Sequence, residues 1–228
     1  MQKVMPSEYA SLDLPDQWIE DVMQEYEANW IVSKLSMCNT VLELGYGAGI
    51  VTRAIVKAGK KVTTVDGSSK LVLKASQDGA IGVCSMFEQV EFQEKFDAVV
   101  VSFVLEHLTD PVAVLKKCHE WTNKLIVVIG NANSYHRQLA VKMGLQNTIY
   151  DLSERDHKVG HYRVYDIGTV CTDLDAAGWL PKLQSVKGFQ FKPLPNGMMK
   201  NFPPELIKAM NEIDIIPYLA ANIGFVAE

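Results

Sequence analysis

The fold is set by the stretch Val41-Leu-Glu-Leu-Gly-Tyr-Gly-Ala-Gly49, which is followed by a helical pattern and then by Lys61-Val-Thr-Thr-Val-Asp66. These residues predict a strand, a glycine turn, a helix and a second strand that ends in a carboxylate. Alternate glycines let the backbone turn sharply and approach a ligand closely, because no Cβ intervenes. Open α/β sheets bind nucleotides at the carboxyl ends of their strands. The stretch therefore predicts a nucleotide-type binding site.

The glycine spacing indicates which nucleotide binds. The dinucleotide pattern G-x-G-x-x-G begins at Gly45 and Gly47, but its third glycine is replaced by Ile50, and Gly49 comes one residue early. Glu43 places a negative charge beside the turn, which disfavours a pyrophosphate and attracts a cation. S-adenosylmethionine carries a sulfonium and an ammonium and no phosphate. We therefore predict S-adenosylmethionine as the cofactor.

Four motifs carry a family resemblance: Glu43-Leu-Gly-Tyr-Gly-Ala-Gly49, Asp66, Phe96-Asp97 and Leu105-Glu-His-Leu-Thr-Asp-Pro111. They resemble the Rossmann-like (class I) S-adenosylmethionine-dependent methyltransferases, in particular the ubiquinone-biosynthesis-type and sugar O-methyltransferases. The resemblance covers roughly residues 35 to 130. Tyr46 departs from it, because the family usually has a small residue or cysteine there.

The resemblance also implies roles for residues at the strand ends. Glu43 is expected to hold the cofactor's ammonium, and Asp66 the two ribose hydroxyls. Ser85 stands where the family often has an acidic residue that meets the adenine amine, with Met86 against the ring. The predicted cofactor-binding residues are Glu43, Gly45, Tyr46, Gly47, Gly49, Asp66, Gly67, Ser85, Met86, Ser102 and Phe103. No metal is expected, because Phe103 occupies the place of an acidic residue that ubiquinone-type enzymes use for a divalent cation.

Composition excludes several classes of protein. A chain of 228 residues that is 48% hydrophobic can bury one substantial core, so we predict a single domain over residues 1–228. A net charge of −5 with interspersed signs provides no basic field for nucleic acid. Four widely spaced cysteines favour free thiols in a reducing compartment, and hence a cytoplasmic location. No apolar run approaches a bilayer span.

Short β-branched runs alternate with helix-length segments along the chain, which specifies a parallel sheet with helical crossovers. The predicted strands are Val41–Leu44, Lys61–Val65, Ala80–Val83, Ala98–Val101, Leu125–Ile129, Leu180–Val186 and Asn222–Ala227. We predict an α/β fold with a seven-stranded, mostly parallel Rossmann-like sheet flanked by helices and an antiparallel last strand. Residues 1–36 are expected to form a cap over the cofactor cleft, in which Tyr9 or Trp18 touches a ligand. Residues 131–165 are expected to form an inserted wall around the substrate.

Methyl transfer to a hydroxyl requires a base, for which neutral histidine is best suited. The candidates are His136, His157 and His161, which all lie in the predicted insertion. His107 is expected to be a cofactor-side or structural residue.

Basic residues accompany these histidines, namely Arg137, Arg155, Lys158 and Arg163. They predict recognition of a small anionic acceptor, such as the hydroxyl of a phosphorylated or sugar-like metabolite. The alternatives are a small amine acceptor, a nicotinamide-dependent nucleotide-sugar oxidoreductase, and a non-catalytic binding module. The sequence leaves the oligomeric state open, with a homodimer as one alternative.

Overall fold

The computed structural model describes residues 16–182 and 185–228. The strands of this part are β1 (Thr40–Leu44), β2 (Lys61–Asp66), β3 (Ile81–Cys84), β4 (Ala98–Ser102), β5 (Leu125–Gly130), β6 (Lys187–Phe189) and β7 (Asn222–Ala227). Its α-helices are α1 (Gln17–Lys34), α2 (Ile50–Lys57), α3 (Ser69–Gln77), α4 (Pro111–Trp121), α5 (Tyr135–Lys142), α6 (Glu154–Val159), α7 (Ile167–Ala176), α8 (Asn196–Met199) and α9 (Pro204–Glu212). Single 3₁₀ turns cover Leu105–His107 and Pro217–Leu219.

The strands form one sheet in the order β3-β2-β1-β4-β5-β7-β6. Strands β1 to β5 pair in parallel, whereas β7 runs antiparallel to both β5 and β6. The predicted fold class is confirmed, including the antiparallel last strand. The strand order reverses between β1 and β4, which is the topological switch point where sheets of this kind bind ligands.

Side chains on the two faces of the sheet pack into two separate hydrophobic cores. In β4, Val99 and Val101 pack with Trp121 and Trp179 on one face, whereas Val100 packs in a second cluster on the other. All five of these residues are fully buried. Such β-branched strands, buried on both faces, are typical of parallel sheets covered by helices.

Two helix starts follow from local sequence. Asp110 caps α4 by accepting a hydrogen bond from the Ala113 backbone N–H at 3.0 Å, and Pro111 occupies the first helical position. Asp166 and Thr169 form a reciprocal capping box at the start of α7. In both helices a capping residue in the sequence directly precedes the first helical position.

One strand prediction was wrong. The stretch predicted as a strand over residues 180–186 contributes only an isolated bridge between Pro181 and Ala227, and the strand begins at Lys187. Proline has no N–H for a ladder hydrogen bond. A turn follows, in which the Ser185 N–H donates to the Lys182 carbonyl at 2.7 Å, so this segment does not continue as a strand. Residues 183 and 184, like Tyr9, lie outside the described residues.

Helix α1 packs its apolar face, including Ile19 and Met23, against Ile207 and Met210 of α9. Trp30 of the same helix lies over Gly224 in β7 and makes an edge contact with Phe189. Across the described ranges, no helix is both long and apolar enough to span a membrane.

A Gly224→Ala substitution is expected to destabilise the fold. The new Cβ would lie 2.7 Å from Trp30 Cζ3, which is closer than side chains approach one another. Overpacking of this kind costs about 1–3 kcal/mol. Urea unfolding measures the change in the free energy of unfolding. Gly197→Ala is the matched control, because its Cβ would meet nothing within 4 Å. Equal unfolding free energies for the two variants would contradict the prediction.

Candidate functional site

A crevice of about 180 Å³ opens at the carboxyl ends of β1, β2, β3 and β4. The predicted cofactor residues that line it are Glu43, Gly45, Tyr46, Gly47, Asp66, Gly67, Ser85, Met86, Ser102 and Phe103. Gly49 does not line the crevice.

Gly49 instead leaves room for the Tyr46 side chain to pack against the glycine turn. Its φ is +74°, and a Cβ at this position would lie 2.3 Å from the Tyr46 hydroxyl. That hydroxyl donates to Asp78 Oδ2 at 2.7 Å, and Arg53 binds the same oxygen at 2.9 Å. Tyr46, the departure from the family pattern, therefore anchors the turn to the end of α3.

Asp66 is fixed by the backbone around it. Its two oxygens accept hydrogen bonds from the Tyr46 N–H at 3.0 Å and the Ser68 N–H at 2.8 Å. Burial raises the pKa of this carboxyl, and the two N–H donors oppose that shift. Each oxygen keeps a further lone pair. Asp66 can therefore accept hydrogen bonds from a ligand's hydroxyls without giving up its backbone partners.

Glu43 is a buried acid at the base of the crevice, with 2% of its surface exposed. Its Oε2 accepts hydrogen bonds from Thr52 Oγ1 at 2.5 Å and Thr64 Oγ1 at 2.9 Å. Burial raises the pKa of Glu43 to about 7, although both threonines act in the opposite direction. A positive charge in the crevice would favour the ionised form.

A second cavity of about 960 Å³ adjoins the crevice. The residues that line both are Gln24, Gly47, Ala48, Phe103, His107 and Val159. Phe103 adopts a left-handed backbone conformation with φ +54°, which is uncommon for a bulky residue and characteristic of functional sites. Residues of α1 and of the segment 131–165 form much of the remaining wall. We call this second space the acceptor cavity.

A histidine and a carboxylate pair within the acceptor cavity. Gly160 ends α6 in a left-handed conformation and turns the chain back, so that the His161 N–H donates to the Asp156 carbonyl at 2.8 Å. The same turn brings His161 Nδ1 to 2.9 Å from Asp156 Oδ1. Ser153 binds the other carboxylate oxygen through its hydroxyl at 2.7 Å. Burial opposes ionisation of Asp156, but the hydrogen bonds from His161 and Ser153 outweigh it and hold the pKa low.

His107 lies beside this pair, with its ring 4.6 Å from that of His161 in an edge-to-face contact. Burial, followed by the proximity of His161, lowers the pKa of His107 to about 3. His107 is therefore neutral at physiological pH.

The remaining predicted histidines and basic residues separate into two groups. His136 lines the acceptor cavity, and burial lowers its pKa well below the usual value. His157 and Lys158 are exposed on α6 and line neither cavity. Arg163 also lies outside both linings, and its guanidinium donates to the Thr109 carbonyl at 3.1 Å. The structure does not bring these last three to the site.

The other two arginines line the acceptor cavity but bind protein groups. Arg137 donates to the Ile149 carbonyl at 2.8 Å and also to the Asp151 carbonyl. Arg155 forms an ion pair with Asp16, just before α1, and lies 3.9 Å from Glu20. Both guanidiniums are thus bound to protein groups while they line the cavity, and their predicted role in binding an acceptor stays a prediction.

Several residues at the site carry no signal in the sequence. Among these lining residues are Gln24, Glu88, Asp156, Tyr162, Lys192, Asn196 and Asn222. The pattern Ser153-x-x-Asp156 identifies a helix cap and gives no hint of the contact with His161. Lys192 and Asn196 belong to a proline-rich segment without a motif, and tertiary packing alone brings them to the cavity.

Comparison with known proteins finds similarity to methyltransferases. Residues 42–124 match a family model described as "Methyltransferase domain". The chain is 32% identical over 100 residues to the ubiquinone biosynthesis O-methyltransferase of Pseudomonas paraeruginosa. This match covers 40% of this chain and 43% of the relative. The enzyme of the same name from Pseudomonas entomophila matches equally. The chain spans less than half the length of these curated relatives.

Solved structures share the fold over most of the chain. Magnesium protoporphyrin IX methyltransferase (ChlM) from Synechocystis PCC 6803, with bound SAH, superposes with a TM-score of 0.60 at 15% identity, over 91% of this chain and 85% of that one. The CcbJ methyltransferase from Streptomyces caelestis gives 0.59 at 16% identity, over 90% and 95%. Residues 42–124 are therefore similar to a methyltransferase domain, and the chain shares the fold of these solved methyltransferases.

Proposed function

We propose that this chain transfers the methyl group of S-adenosylmethionine to a hydroxyl of a small molecule held in the acceptor cavity. One observation carries the proposal. The crevice and the acceptor cavity have lining residues in common, among them Gly47, Phe103 and His107, and the His161–Asp156 pair lines the acceptor cavity. A donor in the crevice and an acceptor in the cavity would be direct neighbours.

The residues of the crevice suit S-adenosylmethionine. Asp66 offers a fixed carboxylate to two ribose hydroxyls, and Glu43 offers a buried acid to an ammonium. Met86 and Phe87 add apolar surface for the adenine ring, with Ser85 beside them. The cofactor supplies an electrophilic methyl group on a positively charged sulfur.

The protein's contribution to the reaction is alignment and proton transfer. Asp156 accepts a hydrogen bond from His161 Nδ1, which fixes the tautomer that leaves Nε2 as the basic nitrogen. Nε2 is then suited to take the proton of the acceptor hydroxyl while the oxygen attacks the methyl carbon. The Asp156 carboxylate stabilises the imidazolium that results.

The His161–Asp156 pair also favours oxygen over nitrogen as the acceptor atom. A neutral amine attacks without first losing a proton, so it has less need of a base held by a carboxylate. Because Arg137 and Arg155 are already paired, we propose a polar, sugar-like hydroxylated acceptor that does not depend on a phosphate. Helix α1 and residues 131–165 act as its cap and wall in this proposal.

Cofactor affinity is expected to depend on pH through Glu43. Its pKa is about 7 because of burial, so its ionised fraction rises between about pH 6 and pH 8. Affinity for S-adenosylmethionine should therefore increase by about tenfold over this range. Isothermal titration measures the dissociation constant. Glu43→Gln should remove the dependence, and Glu94→Gln, at an exposed position, should retain it. A flat profile for the wild-type protein would contradict the role given to Glu43.

Loss of the imidazole at His161 is expected to impair the chemical step. Release of S-adenosylhomocysteine from a panel of phenols, polyols and hydroxy acids identifies an acceptor and measures the rate. His161→Gln should lower kcat by about 10²- to 10⁴-fold, while the dissociation constant for S-adenosylhomocysteine stays unchanged.

His157→Asn is the matched control for this variant, because His157 is exposed on α6 and lines neither cavity. Its kcat should equal that of the wild type. A His161→Gln variant with wild-type kcat would refute the assignment of the base. The absence of methyl transfer to every acceptor of the panel would count against the proposed function itself.

A further inference from the structure

The acceptor cavity contains a buried cation that the proposed chemistry does not use. Lys192 is only 8% exposed and lines the cavity. Its Nζ lies 3.9 Å from Glu20 Oε1, which is within ion-pair range but too long for a hydrogen bond. Among residues 16–182 and 185–228, no group accepts a hydrogen bond from this ammonium. Because a buried charge without hydrogen bonds is costly, an acceptor oxygen supplied by a ligand would stabilise this ammonium.

Glu20 does not fully compensate the charge of Lys192 or accept a hydrogen bond from its ammonium. The same Oε1 atom accepts a hydrogen bond from Asn196 Nδ2 and also lies 3.9 Å from Arg155. One carboxylate is thus divided among an amide and two cations. Lys192 therefore keeps most of its capacity to donate hydrogen bonds into the cavity.

Two neighbouring polar atoms are also unpartnered. His136 Nδ1 and Asn196 Oδ1 are buried without a hydrogen-bond partner, and both residues line the acceptor cavity with Lys192. Burial, followed by the charges of Lys192 and Arg137, lowers the pKa of His136, so its ring is neutral at physiological pH. A neutral imidazole can present an N–H at Nδ1 to an oxyanion. Asn196 Oδ1 can accept a hydrogen bond from a hydroxyl.

We propose that Lys192 and His136 form an anion subsite that binds a carboxylate of the methyl acceptor, with Asn196 receiving an adjacent hydroxyl. The subsite is a property of the cavity, and its assignment to the acceptor rests on the proposed function. It deepens that function by naming the substrate class as a hydroxylated carboxylic acid.

The charges around the subsite favour one negative charge over two. Asp16 and Glu20 both act on Lys192, and they would repel the second charge of a phosphate dianion. The nearby cations Arg137 and Arg155 are already bound to protein groups. A carboxylate needs only one cation and one neutral donor, which Lys192 and His136 offer.

Carboxylate binding in the absence of turnover tests the subsite. Acetate, lactate and benzoate are titrated at constant ionic strength against the protein saturated with S-adenosylhomocysteine, and thermal shift gives the dissociation constants. Acetamide, lactamide and benzamide are the neutral controls, and inorganic phosphate is a separate arm. We expect the carboxylates to raise Tm and the amides to have no effect. Lys192→Met should weaken carboxylate binding by about 10- to 100-fold.

The variant and its controls separate a lost subsite from a damaged fold. Lys208→Met, at an exposed position on α9, should bind carboxylates as the wild type does. Lys192→Met should retain wild-type affinity for S-adenosylhomocysteine, because Lys192 does not line the crevice. If Lys192→Met fails to fold, Lys192→Gln and His136→Asn replace it in the same titration.

Three results would overturn the proposal. They are no stabilisation of the wild type by any carboxylate, equal carboxylate affinity in the Lys192 variant, and Lys192-dependent binding of phosphate without binding of carboxylates. Because the titration involves no methyl transfer, its outcome is independent of the activity assay. A subsite that binds carboxylates in a chain without methyltransferase activity would refute the proposed function alone.

Discussion

The burial of an ionisable carboxyl group at Glu43 is the constraint on which the cofactor site depends. Glu43 links three elements, because it lies in β1 and receives hydrogen bonds from Thr52 in α2 and Thr64 in β2. Its pKa of about 7 means that ionisation opposes folding as the pH rises from the unfolded value of 4.5 through 7. A bound cation offsets that cost. Under the proposed function, folding and cofactor binding are therefore coupled through this one buried acid.

The remaining parts of the site are arranged around this acid by the topology of the sheet. The reversal of strand order between β1 and β4 opens the crevice, and the turn after β4 places Phe103 and His107 at its border with the acceptor cavity. The segment 131–165 then supplies His161 and Asp156. The sheet thus positions the crevice, and the acceptor cavity with its His161–Asp156 pair adjoins the crevice.

The parts of the structure that were predictable from sequence are those set by local patterns. The β-branched runs identify β1, β2, β4 and β5, because buried parallel strands need such residues on both faces. The glycine turn and Asp66 follow from a compact motif. Strand β6 was misplaced because Pro181 and the turn at Ser185 interrupt a stretch of mixed apolar and polar residues that was predicted as a strand.

Side-chain partners were not predictable, because they depend on tertiary packing. Arg155 looks like a free cation in the sequence, but Asp16, 139 residues away, pairs with it. Lys192 looks like an ordinary surface lysine, yet the structure buries it in the acceptor cavity. His161 and His157 look alike in the sequence. The turn at Gly160 after α6 brings His161 to Asp156 in the acceptor cavity, whereas His157 stays exposed on the helix.

A crystal structure of the chain grown with S-adenosylhomocysteine, and separately with NAD, tests the central claim most directly. The account predicts electron density for S-adenosylhomocysteine in the crevice, with its ribose hydroxyls on Asp66 and its ammonium beside Glu43, and no density for NAD there. A crevice that stays vacant with S-adenosylhomocysteine, or that binds the diphosphate of NAD, would contradict it.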